Sequence, residues 1–146
     1  MRAVAMTVLS LVLLAGCGDR GLDTPTAAAD TPGATATSTP SENPPMDGAT
    51  VFEDDPRIVD SRPVPFDIWS RSPDGNAVIV HFTSGTPQCH GVHATVHETD
   101  DAVEIALRGG TPPEAVDKMC IMIALQGSLV VPLESPLRDR RVLSVS

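Results

Sequence analysis

Four histidines and three cysteines hold most of the reactive side chains in this 146-residue chain. His90, His93 and His97 lie close together, with His81 upstream, a grouping that invites a metal reading. On one strand His93 and His97 share a face but sit about 13 Å apart, at ~3.3 Å per residue, too far to chelate one ion. His90 and His97 fall on opposite faces of an unbroken strand. A zinc or copper site would therefore need His81 from a neighbouring strand. It would also need a carboxylate or thioether such as Glu104, Met119 or Met122. The competing reading puts these histidines on the polar face of a hairpin, paired with Glu104 or Asp101. The expectation is no resident metal, with His81, His93 and His97 as the candidates if one binds.

Nucleophilic catalysis finds less support. No G-x-S-x-G elbow is present, and Gly127-Ser128-Leu129 lacks the second glycine. Ser84 has His81 nearby but no third member of a triad. Cys89 and His90 are sequence neighbours, so their side chains diverge, against a Cys/His dyad. Glu53, Asp54 and Asp55 form an acidic run without the regular spacing of a calcium loop, which favours a solvated entry to the domain. Glu134, Asp139, Arg140 and Arg141 suggest ion pairs near the C-terminus, of the surface kind that stabilise little. The expectation is a non-enzyme with no cofactor.

The first cysteine has different company. Leu14-Ala15-Gly16-Cys17 ends an apolar run, Ala3 to Leu14, preceded by the single charge of Arg2. The run is about 12 residues long, against the roughly 20 that a spanning helix needs. A cleaved export signal over residues 1–16 fits better. The four residues resemble a bacterial lipobox: an apolar side chain, two small ones that let a peptidase approach the backbone, and a thiol that accepts diacylglycerol as a thioether. Lipidated Cys17 then leads the mature chain, and its acyl chains supply a stable membrane anchor at about 0.8 kcal/mol per buried CH₂. Gly18 and Asp19, just after it, would influence sorting in an envelope with two membranes.

With Cys17 lipidated, Cys89 and Cys120 remain as an even pair in an oxidising compartment. A disulfide is the default reading, closing a loop of about 30 residues and contributing on the order of 3–4 kcal/mol by chain entropy. A reactive or redox pair is the alternative, without the Cys-x-x-Cys spacing that would favour it.

Residues 17–50 are rich in Ala, Thr, Pro, Ser, Gly and Asp, with hardly a large apolar side chain. Such a stretch buries too little apolar surface to offset its ordering entropy, and reads as a disordered Thr/Pro/Ala-rich tether. Its Thr-Pro steps are also compatible with O-linked sugars. The folded domain is then residues 51–146, one small core. Periodicity there is mostly two, which predicts strands. Ala77 to Phe82 is β-rich and follows the turn signal Ser72-Pro73-Asp74-Gly75-Asn76. Val92, Ala94 and Val96 alternate with polar neighbours, as do Val103, Ile105 and Leu107. With Thr99-Asp100-Asp101 between them they read as a hairpin. Thr111 to Lys118 predicts a short helix or helical turn. Met119 to Leu125 and Ser128 to Leu133 read as one long or bent strand, with Gly127 as a bulge or kink. Arg141 to Val145 suggests a last strand. Ile58 to Trp69, broken by Pro63 and Pro65, is confined to an edge strand or strap, with Phe66 and Trp69 capping the core. The fold class that follows is mainly β: a single small antiparallel β-sandwich or curled sheet with at most one short helix, after a disordered tether.

Several of these segments together carry a resemblance. Asp60 to Trp69, Asp74-Gly75-Asn76-Ala77, Gly85 to Cys89, Val96-His97-Glu98-Thr99, Cys120, and Pro132 to Arg140 are similar to a recurrent domain of actinobacterial, mycobacterial-type envelope lipoproteins. In that group the closing motif runs Pro-Leu-Gly-Asp-Arg. Here Arg138 stands where the group has the glycine that tolerates positive φ. The resemblance spans most of the folded part. It implies the envelope address, the cysteine bridge and the β fold, and brings no catalytic residues.

Net charge is −9, and basic residues do not cluster beyond Arg138, Arg140 and Arg141, so a nucleic-acid partner is not expected. The expected protein is a lipoprotein anchored through Cys17 to the outer face of the cytoplasmic membrane. Its domain is non-catalytic and binds an envelope protein, glycan or lipid. The alternative is an envelope protein that binds zinc or copper through the hairpin histidines.

Overall fold

A computed structural model describes residues Ala36–Ser146, which are almost entirely β. The expected export signal, Cys17 and the first part of the tether lie outside the described residues. The strands are β1 (Thr37–Ser38), β2 (Ser41–Glu42), β3 (Thr50–Phe52), β4 (Val59–Pro63), β5 (Ile68–Arg71), β6 (Ala77–Ser84), β7 (Gly91–Glu98), β8 (Ala102–Thr111), β9 (Leu125–Pro132) and β10 (Arg141–Val145). A 3-10 turn at Pro113–Ala115, with prolines opening it, is the short helical piece expected between β8 and β9.

Two five-stranded sheets share one core. In the first, β8 is central. β7 runs antiparallel along its whole length from Glu98↔Val103 to Gly91↔Gly110, the expected hairpin. The other side of β8 is divided, with β10 against Ala102–Ile105 and β4 against Arg108–Thr111. β1 adds outside β10. The second sheet has the order β2-β5-β6-β9-β3. The long ladders, β7/β8 and β6/β9, are antiparallel as expected. The pairs β10/β8, β2/β5 and β3/β9 are parallel. In each of those the incoming strand arrives by a longer connection, which a parallel neighbour requires.

The alternation read from the sequence is what fills the core. Val103, Ile105 and Leu107 of β8 lie with Val78, Val80, Leu129 and Val131 of the second sheet in one buried cluster that also includes Phe66 and Trp69. Each such side chain contributes roughly 1.5–3 kcal/mol on burial. All members of the cluster lie between Phe52 and Val142. β4 carries Pro63 and a register shift between Val59 and Arg62, as an edge strand can.

Three expectations are corrected. First, part of the expected tether is folded. β1, β2 and the start of β3 lie within residues 17–50, and Pro40 is buried. β1 and β2 are two-residue strands with exposed side chains, joined to their sheets by backbone bonds and, in β2, by the pairing of Glu42 with Arg71 at 3.1 Å, so composition cannot reveal them. The segment from Asn43 to Ala49 joins β2 and β3 at opposite edges of the second sheet, and so passes across that sheet's outer face.

Second, Met119 to Ala124 is not strand. Asp117 takes the left-handed conformation, φ 64°, and β9 starts only at Leu125. The run is apolar in both parities, so it lacks the one-sided pattern that seats a strand on a core. Third, Gly127 makes no bulge, because the β6/β9 register is unbroken from Ala77↔Pro132 to Ser84↔Leu125. The glycine is needed for space. A Cβ there would lie 2.7 Å from the ring of Phe82 and 2.9 Å from that of Phe52, which meet edge to face with centroids 5.2 Å apart. Gly127→Ala is therefore expected to lower stability by about 1–3 kcal/mol, read as a shift in the urea midpoint at unchanged slope. A midpoint equal to wild type would show that the rings have room to move.

Candidate functional site

The structure separates the histidines. His81 lies on β6, facing outward from the second sheet beside Ile68 and Ser128, yet it is buried. Met46, from the Asn43–Ala49 segment, lines the same surface hollow. The His81 Nε2 is 2.7 Å from the Ser70 hydroxyl, and its Nδ1 is sealed without a partner. His93 and His97 lie on β7, in the other sheet. His97 Nδ1 lies 3.4 Å from Glu104, a partner the hairpin reading named, whereas His93 Nδ1 meets both oxygens of Asp54 at 3.1 Å, a partner it did not. Met119 and Met122 are fully exposed on the β8–β9 connection. Among the described residues no three His, Cys, Asp or Glu side chains converge on a metal position. The proposed grouping of His81, His93 and His97 with Glu104 or the methionines is not assembled.

The Ser70–His81 contact is a serine–histidine pair that the sequence did not suggest. Ser70 is wholly buried, and no carboxylate orients the imidazole, so neither feature of an activated nucleophile is present. Burial pushes the His81 imidazole below its ordinary value.

The acidic run is solvated, with Glu53 and Asp54 exposed, but it is also docked on the fold. Asp54 accepts the amide of Ala94 at 2.8 Å and forms a bridge to Val92, so it docks on the free edge of β7. Asp55 accepts both the backbone and the guanidinium of Arg57, and these bonds hold its carboxyl below the usual range.

One end of the sandwich is closed by an ion pair. Arg140 and Glu98 meet at 2.7 Å, with only 10% and 13% of their side chains exposed. Arg140 also donates to the carbonyls of Ser135, Pro136 and Thr99, and Glu98 accepts the amides of Glu134 and Ser135. Desolvation works to raise the Glu98 carboxyl, but Arg140 and the two amides together hold it below its ordinary value. Arg140 was expected in a surface pair; it ties the β9–β10 connection to the β7–β8 turn. Within that connection Leu137 is fully buried, and Arg138 adopts φ 49°. The left-handed turn is thus kept without glycine. The Arg138 carbonyl accepts Arg71 at 2.9 Å. A polar cleft of about 850 Å³ opens here, lined by Glu98, Asp100, Asp101, Glu134, Asp139 and the two arginines among others.

At the other end Cys89 and Cys120 are disulfide-bonded, with Cα atoms 6.1 Å apart. Cys89 belongs to the β6–β7 connection and Cys120 to the β8–β9 connection, so the bridge joins two crossings between the sheets. It also pins the centre of an apolar loop. Met119 and Met122 are fully exposed, and Ile121, Ile123 and Val116 are about half or more exposed. Exposed apolar side chains grouped in this way mark an interaction surface. The sequence signal was present, an apolar run with no alternation, but it reads equally as a buried strand.

No protein family matches this chain, and neither a curated protein nor a solved structure is significantly similar to it. Among the described residues no helix is long and apolar enough to cross a membrane.

Two outcomes follow from this geometry. Arg140→Ala leaves the shielded Glu98 carboxylate without its counter-ion, with only the two backbone amides to stabilise it, and should cost about 3 kcal/mol by urea denaturation; a cost under about 0.5 kcal/mol would place the pair among surface bridges. His81 gives a pH dependence. Below the unfolded histidine value of about 6.5, the unfolded chain binds a proton that folded His81 resists, so stability falls as pH drops through that value. The wild type should lose melting temperature between pH 7.5 and 5.5, and His81→Gln should flatten that slope. Equal slopes would assign the loss to other groups.

Proposed function

We propose that this protein is a lipid-anchored lipoprotein of the cell envelope, carrying a small non-catalytic interaction domain. The pinned apolar loop carries the reading of the domain. Among the described residues nothing covers Met119, Ile121 and Met122, and the disulfide ties their loop to the β6–β7 connection. A surface kept apolar at that cost in solubility is explained by something that covers it. The space between the sheets is filled by the core cluster, which favours contact at the surface over carriage of a ligand inside. The anchor rests on Leu14-Ala15-Gly16-Cys17 and the short apolar run before it. An oxidising compartment outside the cytoplasm agrees with the bonded cysteines. The likeness of the closing segment, Pro132 to Arg140, to that of actinobacterial envelope lipoproteins points the same way. The domain then faces outward from the cytoplasmic membrane.

The test is fractionation. Cys17→Ala should move the protein from the membrane fraction to the soluble fraction, and intact-mass measurement of the wild type should show a diacylglycerol thioether on Cys17. A wild type without that mass, or a variant still pelleting with membranes after high-salt and carbonate washes, would refute the anchor.

A further inference from the structure

We propose that the Met119–Ile123 loop is a second, non-covalent membrane contact, inserting its side chains into the lipid surface on which the chain is anchored. The setting of this contact rests on the anchored reading above; its chemistry does not.

The shape of the feature favours lipid over protein. The loop offers a short run of exposed side chains, Met119, Ile121, Met122 and Ile123. A stable protein interface buries on the order of 800 Å² per partner, spread over about 20–30 residues with matched shape. Four apolar side chains on one loop fall well short of that, and Glu114 and Asp117 adjoin them. A bilayer surface needs no shape match and takes a few apolar side chains directly. Lys118, the chain's only lysine, stands at the base of the loop, and no acidic residue occurs between it and Gln126. An ammonium there sits at headgroup level while its neighbours go deeper.

The route of the chain agrees. β10 runs parallel to β8, and Ala36 pairs with Ser146 just beyond the end of β10, by bonds of 3.0 and 2.9 Å. Because β1 is antiparallel to β10, Ala36, the first described residue, lies at the end of β10 that points the way β8 runs. The β8–β9 loop leaves from that same end. About 18 residues lie between Cys17 and Ala36, which reach at most ~60 Å at full extension. That length is enough for the loop to meet the surface on which Cys17 would be anchored. Anchoring also raises the effective concentration of the loop at the lipid, so a weak insertion suffices.

The disulfide gives the loop its function in this account. Cys120 lies at the centre of the run and is bonded to the β6–β7 connection. It holds Met119 on one side and Ile121 and Met122 on the other away from the core, where a free loop would fold back onto apolar surface. The domain also carries excess negative charge. Insertion is thus driven by apolar contact and opposed by anionic lipid, and added salt relieves that opposition.

The experiment uses the chain from residue 17 onward with Cys17→Ser, so that no lipid is attached, and measures co-flotation with phosphatidylcholine vesicles. Binding is expected. It should weaken in vesicles containing phosphatidylglycerol at low salt, and recover as salt is added. M119S/I121S/M122S, at exposed positions, should keep the wild-type melting temperature and bind at least ~10-fold more weakly. Absence of binding by the parent chain, or equal binding by the triple variant, would overturn the proposal. So would self-association of the parent chain that the triple variant abolishes, without vesicle binding, which would make the loop a contact between copies. Failure here with a lipid found on Cys17 leaves the anchored reading standing; vesicle binding without that lipid removes the anchor and keeps the loop.

Discussion

Arg140 reaches from the β9–β10 connection into the β7–β8 turn and pairs there with Glu98 at 2.7 Å, largely shielded from water. Much of the first sheet depends on that contact. It fixes the path of the chain as it leaves the second sheet, so that Arg141 can donate to Asp101 at 3.0 Å and β10 can settle in register on β8. β1 in turn has only β10 to pair with. The same connection places Leu137 in the core and sets Arg138 in its left-handed turn. A pair of charges away from water is stable only when its remaining hydrogen-bonding capacity is filled. Here backbone carbonyls and amides of the connection fill it, so pair and loop hold each other in place.

The two ends of the sandwich are built on opposite chemistry. One is closed by this buried pair beneath a cleft rich in carboxylates. The other is closed by a covalent bridge, and what it holds outward is apolar. A polar lock carries its own solvation, whereas a disulfide frees its loop from having to pack in order to stay put. That freedom is what permits Met119 and Met122 to stand in water within a stable fold. The exposure of these apolar side chains is a consequence of the staple.

The sequence was most legible where one face of a strand is buried. Val103, Ile105 and Leu107 against Glu104, Ala106 and Arg108 gave β8; the same alternation gave β7 and the hairpin, and Arg141 to Val145 was found as β10. The Cys89–Cys120 pairing followed from counting. Illegibility began where side chains do not hold an element in place. Thr37–Ser38 and Ser41–Glu42 look like tether, since they bury no apolar side chain and pair through backbone bonds and one ion pair to the distant Arg71. Met119 to Ala124 looks like strand, since an apolar run is the same string of letters whether buried or exposed. Arg140 looked like a surface residue because its partner, Glu98, lies 42 positions away.

The sequence by itself determined the period-two strands, the cysteine pair and the edge role of the proline-broken segment. Each of these is local, written in neighbouring residues or in a count. The tertiary structure decided which strands are neighbours, that three pairings are parallel, that Asp54 caps the edge of β7, and that the histidines stand apart. It decided too which apolar run faces water. Those outcomes depend on contacts between residues far apart in the chain, whose energies local pattern does not contain. The apolar segment following Lys118 was visible from the start. Only the bond from Cys120 to Cys89 and the end of β8 made it a surface.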